Sequence, residues 1–374
     1  LKVRGSYTEV GTSFERFITR PSYEFNIASG KWISTSIYPV RNLKPEKTRS
    51  WEVGVNSKWL NNRLSFDLTY YRSSTINQTF TADLSVSSGY SKAYIQSGNV
   101  RNEGMEIALG YSDKWGGFSW DSNLTFSWNQ NKIIKLTEGS VNPMTGEPIT
   151  KDNYEMGQLG NLDARVKLYK GGSIGDVYAT HRIKRDGNNN IYVSREGKIE
   201  IESVDEFKLG SILPKSNMGW SNNFSYKGVN LGVTLTARFG GIALSGTQST
   251  LDQYGVSQVT ADYRDAGGIF INHGYVDTEK YFDTVKGYAA YYTYSATNVR
   301  LSELNLSYTL PQKWFRDKLR MTVGLVGKNL WMIYCKAPFD PEATASTQSN
   351  YYQSYDYFMQ PTTRNIGFSV KLNF

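Results

Sequence analysis

An all-β, transmembrane antiparallel β-barrel is the fold class this sequence predicts. Three observations predict it: period-two alternation over most of the chain, aromatic rings near strand ends, and links that alternate between short and long. The 374 residues include 27 Tyr, 17 Phe and 9 Trp beside 34 Gly, and the mean hydropathy is −0.49. That aromatic excess does not suit an ordinary soluble enzyme. No run approaches the ~18 apolar residues of a membrane-crossing helix, so any crossing falls to strands.

Residues 1–7 read as the inside of a strand. The chain is therefore expected to be a piece of something longer, with any signal peptide cleaved or lying elsewhere. Residues 51–59 set Trp51, Val53, Val55 and Trp59 against Glu52, Gly54, Asn56 and Lys58. Residues 64–71 set Leu64, Phe66, Leu68 and Tyr70 against Ser65, Asp67, Thr69 and Tyr71. The same period runs through 118–128, 231–239 and 366–374, and more noisily through 105–111, 217–226, 304–310 and 319–325. The total is ten strands. Short links fall at Leu60–Arg63, Asp113–Gly117, Lys227–Asn230 and Leu310–Lys318; long ones at 11–48, 78–95, 137–215, 241–297 and 336–362. Barrels of the outer membrane have this pattern of short periplasmic turns and long extracellular loops. On that reading the last strand runs inward and ends at Phe374.

A soluble β-sandwich also alternates. Here the polar face carries Glu52, Asp67, Glu106, Asp121 and Arg238, which would be costly to bury without partners. Facing a wet lumen costs far less. The other face is bulky and carries Trp51, Trp59, Trp115, Trp120, Trp128 and Trp220 near strand ends, rings suited to the water–hydrocarbon boundary.

Other chemistries have little support. A lone Cys335 excludes an internal disulfide and a Cys-based zinc site. His181 and His273 lie far apart and are expected in loops, so no enzyme centre and no metal site is assigned. The net charge of +8 comes from scattered Lys and Arg, with no basic arm for nucleic acid. Within 137–215, the segment Arg182–Ser194 is expected to form a hairpin turning at Asp186-Gly187-Asn188-Asn189. Its oxygens resemble the start of a calcium loop, but Ile191 stands where that loop needs Gly, and turn chemistry is favoured. No cofactor is expected.

Several blocks resemble TonB-dependent outer-membrane transporters. Residues 42–78 look like a strand pair of that family, and Gly98-Asn99-Val100-Arg101-Asn102-Glu103-Gly104 like its next block. Asn298-Val299-Arg300-Leu301, Gly327-Lys328-Asn329-Leu330-Trp331, Phe339-Asp340-Pro341-Glu342 and the end from Pro361 to Phe374 are similar to the SusC/RagA branch. The resemblance implies a 22-stranded barrel filled by an N-terminal plug. Residues 1–374 would then be the C-terminal portion, without the plug or the first barrel strands. It also implies outer-membrane lipid around the barrel of a Gram-negative bacterium and a SusD-like surface lipoprotein as lid. TonB–ExbB–ExbD would couple through the plug, and SusCD units could pair as dimers. The implied activity is import of a large solute, with oligosaccharide or glycan first and peptide, as in RagA, second. A self-contained ten-stranded barrel with a structural or enzymatic role is the remaining alternative.

Two loops are dense in rings. Tyr288, Tyr291, Tyr292 and Tyr294 in one, and Tyr351, Tyr352, Tyr355 and Tyr357 in the other, are candidates to stack on sugar faces. The blander expectation for each is girdle or lipoprotein contact. Asp340 and Glu342 are expected to cap and order the last loop rather than bind sugar. Phe374 is the expected assembly signal, as the resemblance implies.

Overall fold

The computed structural model describes the chain except residues 15–17, 21–22, 35–36, 39–42, 84–89, 91, 143, 150–151, 273, 317 and 344–352. His273, Tyr351, Tyr352 and Asn42 lie outside the described residues.

Ten long strands carry the fold: β1 (Lys2–Thr12), β2 (Glu46–Trp59), β3 (Leu64–Asp83), β4 (Lys92–Trp115), β5 (Phe118–Lys135), β6 (Ser216–Tyr226), β7 (Val229–Phe239), β8 (Asn298–Thr309), β9 (Arg320–Cys335) and β10 (Asn365–Asn373). Each pairs antiparallel with its neighbour in sequence, giving a ten-strand meander. A two-residue strand, Ile37–Tyr38, adds in parallel at the start of β4. All ten expected strands are present. The path is open, since β1 pairs with β2 and β10 with β9 but not with each other. The ten strands therefore do not close on themselves, and the self-contained barrel is set aside.

Several strands run further than the alternation shows. The expected long link 78–95 is mostly strand, with β3 reaching Asp83 and β4 starting at Lys92. The reason is physical. Above the apolar band both faces of a strand meet water, so polar residues occupy both and the apolar–polar signal vanishes while the pairing continues.

The short turns sit at one end of the sheet. Leu60, Asn61 and Asn62 all have φ between 54° and 66°, and Lys227 and Gly228 have φ of 45° and 87°. The Lys227-Gly228 pair is a two-residue hairpin with both central φ positive, the type that matches strand twist. Gly228 is required there twice over, because an added Cβ would also lie 2.8 Å from the Thr309 carbonyl oxygen.

The apolar side chains of the strands point away from the polar face and are largely exposed, including Trp51, Val53 and Trp59. Near the short turns, Tyr111, Trp115, Phe118, Trp120 and Phe224 form a chain of ring contacts 5.2–6.4 Å apart. At the other end Trp51 packs on Tyr70 at 5.4 Å. Trp51 to Trp59 spans about 27 Å along the strand, so the rings bound a band of roughly membrane thickness once strand tilt is allowed for.

The long links fold into a cap. Residues 153–211 hold a four-stranded sheet, with strands Asn153–Gln158, Arg165–Tyr169, Asp176–Ile183 and Ile201–Ser211. The expected hairpin is present, with Arg185 bridged to Ile191. The link after β7 forms a strand, Ile242–Ser245, and three helices: α1 (Gly246–Gln253), α2 (Gln258–Asp265) and α3 (Thr278–Val285). Their N-caps Ser245, Ser257 and Asp277 each accept the backbone N–H of the residue three positions on, a signal present in the sequence. The main buried apolar cluster lies here, joining Leu162, Val177, Leu244, Phe282, Tyr292 and Tyr355 from three different links.

Candidate functional site

The polar face of the sheet carries the first part of the site. Arg4 lies across Gly54 on β2, where an added Cβ would come within 2.7 Å of its Nε. That gap lets the guanidinium reach Asp67 on β3 with two hydrogen bonds of 3.0 and 2.7 Å. It also donates to Thr69 and approaches Glu52 at 3.7 Å. Asn56 donates to Asp67 at 2.9 Å. Glu52 and Asp67 thus share one cation, Arg4, which sequence reasoning missed. Residues 1–7 hold no acid beside Arg4, and only the β1–β2 register shows what it faces.

A cavity of about 620 Å³ runs along this face from Arg4 and Asp67 past Glu106, Ser127 and Thr236 to Glu342. Asp121 is elsewhere on the same face, toward the short turns, accepting from Ser112 at 2.5 Å in a smaller cavity of about 290 Å³ with Ser65 and Asn223. Arg238 lies at the opposite end under the cap, donating to the Ile212 carbonyl at 3.0 Å. The five expected polar-face residues therefore share a face, but only Glu52 and Asp67 form one cluster.

The second part is an anchor between the last loop and β8. Arg300 makes a two-pronged pair with Asp340, at 2.8 and 3.0 Å, and meets Glu342 at 3.1 Å. Asn298 donates to Glu342 at 3.2 Å, and Thr362 to Asp340 at 2.9 Å. The Arg300 and Asp340 side chains are about nine-tenths buried. Burial opposes the charge on Asp340, but the hydrogen bonds from Arg300, the Glu342 backbone and Thr362 outweigh it and hold the carboxyl below its usual range. Two sequence blocks singled out separately, Asn298–Leu301 and Phe339–Glu342, thus meet in space. Asp340 orders the loop as expected.

The third part is the cap's rings. Tyr292 and Tyr355 are 0% and 2% exposed. Their faces are covered by the cap's own core, so the expectation that they stack on a solute is corrected: both pack. Burial likewise raises the Tyr292 hydroxyl pKa, with Asp252 adding to it. The Tyr355 hydroxyl donates to Asn161 at 2.6 Å, tying the last loop to the cap sheet. Tyr294 is partly covered, against Phe339 at 5.7 Å. Tyr288 and Tyr291 border a crevice of about 370 Å³ with Arg182 and Arg185, and Tyr288 also faces His181. Tyr357 is 49% exposed and packs edge-on against Phe358.

The two remaining loop motifs have local roles. Asp186 accepts backbone N–H groups of Asn188 and Asn190 at 2.9 and 2.8 Å, which is turn chemistry. His181 pairs with Asp163 at 3.1 Å, and Asp163 also accepts the Ala289 N–H, linking two loops. Phe374 follows β10 and is fully exposed.

A wall of antiparallel strands, polar on one face and apolar with ring belts on the other, capped at one end by folded loops, defines a membrane-spanning β-barrel wall. A family model described as TonB dependent receptor-like, beta-barrel matches residues 1–330, and the chain belongs to that family of outer-membrane proteins. It is 25% identical over 349 residues to TonB-dependent receptor P3 of Formosa agariphila, covering 89% of this chain and 34% of that protein. It is 23% identical to TonB-dependent receptor SusC of Bacteroides thetaiotaomicron, covering 83% and 31%. The RagAB peptide importer in its open-open state superposes with a TM-score of 0.73 at 18% identity, covering 100% of this chain and 40% of that one. The chain spans about a third of the length of these curated relatives. The resemblance to the SusC/RagA branch is borne out.

Proposed function

We propose that this chain forms the C-terminal wall and cap of an importer that carries an oligosaccharide through a plugged 22-stranded barrel. A SusD-like lipoprotein serves as lid and TonB–ExbB–ExbD as motor in a Gram-negative outer membrane; SusCD units pair as dimers. The observation that carries this reading is the Arg300–Asp340–Glu342 anchor. It fixes the extracellular cap to the wall of a polar face, so what binds the cap is coupled to the channel below. The open sheet supports the same reading, since unpaired strand edges do not persist in hydrocarbon and the wall needs further strands to close. Tyr288 and Tyr357 are the rings we assign to solute contact, supported by the crevice beside Tyr288 and the exposure of Tyr357, and we assign Phe374 as the assembly signal.

Peptide is the second reading, favoured by the likeness to a peptide importer. The test is uptake of fluorescent oligosaccharides and peptides by cells carrying the full-length protein, with and without TonB and an uncoupler. Oligosaccharide uptake that vanishes without TonB supports the first reading. Peptide uptake alone replaces the substrate, and uptake indifferent to TonB ends the importer account.

A further inference from the structure

The lipid-facing side of β2–β5 carries a cationic row that the import reading does not use. Register places Glu9, Arg49, Ser74, Arg101 and Lys132 directly opposite one another across β1–β5. All alternate with polar-face neighbours, so they share the outward face of Trp51 and Tyr70. The next row toward the turns holds Trp51, Arg72, Glu103 and Gln130, and the one after it Tyr70 and Trp128. The charges thus begin where the ring belt ends, on the side of the sheet nearer the cap. Lys47 stands one step further out.

Two carboxylates face five cations. Glu9 accepts from Arg49 at 2.9 Å and from Lys47. Glu103 lies 3.9 Å from Arg72 and 4.0 Å from Arg101, and the residue directly opposite Lys132 is the cation Arg101 rather than an acid. Each acid is shared by two cations, which leaves a net charge of +3 over three strand spacings, roughly 14 Å. At the far end of the same face Arg63 is matched by Asp113 at 3.1 Å, so the excess is one-sided.

We propose that this row binds the phosphorylated headgroup of a lipid in the outer leaflet, with Arg49, Arg101 and Lys132 as phosphate ligands. The height fits: hydrocarbon ends at the ring belt, and the next layer outward holds headgroups. Arginine forks suit phosphate oxygens, and the rings below would receive the acyl chains. The site is independent of what the barrel imports.

The test is native mass spectrometry of the full-length protein released from nanodiscs containing bisphosphorylated lipid A, dephosphorylated lipid A, or neither with inorganic phosphate added. Wild type retains the phosphorylated lipid. The triple variant Arg49→Ala, Arg101→Ala, Lys132→Ala retains at least about tenfold less. Glu9→Gln with Glu103→Gln retains more, a result that stands even where the triple variant fails to insert. Removing three cap cations, Lys184, Arg195 and Lys198, changes nothing. Equal retention of dephosphorylated lipid, or of phosphorylated lipid by the triple variant, overturns the proposal. Saturation by inorganic phosphate alone would make it a free-anion site and overturn the lipid assignment.

Discussion

The strand wall and the cap use one chain to solve opposite solvent problems. In the wall, Val53, Leu68 and Phe126 turn outward, and the polar face gathers Arg4, Asp67 and Glu106. In the cap, Leu162, Phe282 and Tyr292 turn inward and are almost fully covered. The cap is assembled as a soluble domain is, by burying apolar area from water. The wall gains nothing of that kind until lipid covers its outer face. Hydrophobic residues therefore mark the inside of one region and the outside of the other.

Four perturbations sharpen this contrast. Alkaline titration should have the largest effect. Burial, helped by the charge of Asp252, pushes the Tyr294 hydroxyl up to about 12, and burial raises Tyr291 and Tyr292 further. Their neutral forms are favoured in the fold, so the stability they contribute is complete below the ordinary tyrosine pKa of about 10 and is lost as pH rises through 12. Hydrogen exchange above pH 10 should show the cap opening while β2–β5 stay protected; joint loss would make the two regions one cooperative unit.

Removing Arg300 should come next. Arg300→Ala leaves Asp340 buried without its partner, at a cost of ~3–5 kcal/mol. Proteolysis should then cut the link after β9 while the strands still insert. An unchanged cleavage pattern would remove the anchor from the account.

A charge at mid-band should cost somewhat less. Leu68 pairs with Val55 and Ile107, half-way between the ring belts. Leu68→Arg should destabilise the inserted barrel by ~2–4 kcal/mol. Thr125→Lys, on the polar face, should be nearly silent in the same urea titration in lipid vesicles. Equal costs would erase the distinction between the faces. The smallest effect belongs to Gly228→Ala, where φ of 87° and the Thr309 carbonyl both oppose a side chain. A loss of ~1–2 kcal/mol in that assay is expected.

The wall was legible because its signal is local: Ile366–Phe374 or 118–128 each show their period without help from distant residues. Strand ends were not legible where both faces are wet, as in residues 72–83. The cap was hidden for a different reason. Its core joins Tyr355 to Leu162 and Phe282 across long separations in sequence, and no period announces that. Rings such as Tyr292 therefore read as exposed loop aromatics although they are packed. The N-caps Ser245, Ser257 and Asp277 were the signal available for the helices. Arg4 and Arg300 needed register: neither shows its acidic partners until the facing strand or loop is known.

The central claim is that the sheet separates lipid from an aqueous lumen. Spin labels placed one at a time along 64–71 of the full-length protein in bilayers, with Cys335→Ser as background, test it most directly. Collision with oxygen should peak at positions 64, 66, 68 and 70, and collision with a water-soluble nickel chelate at 65, 67, 69 and 71. Equal nickel access at both sets would contradict the account, because both faces of the sheet would then be in water.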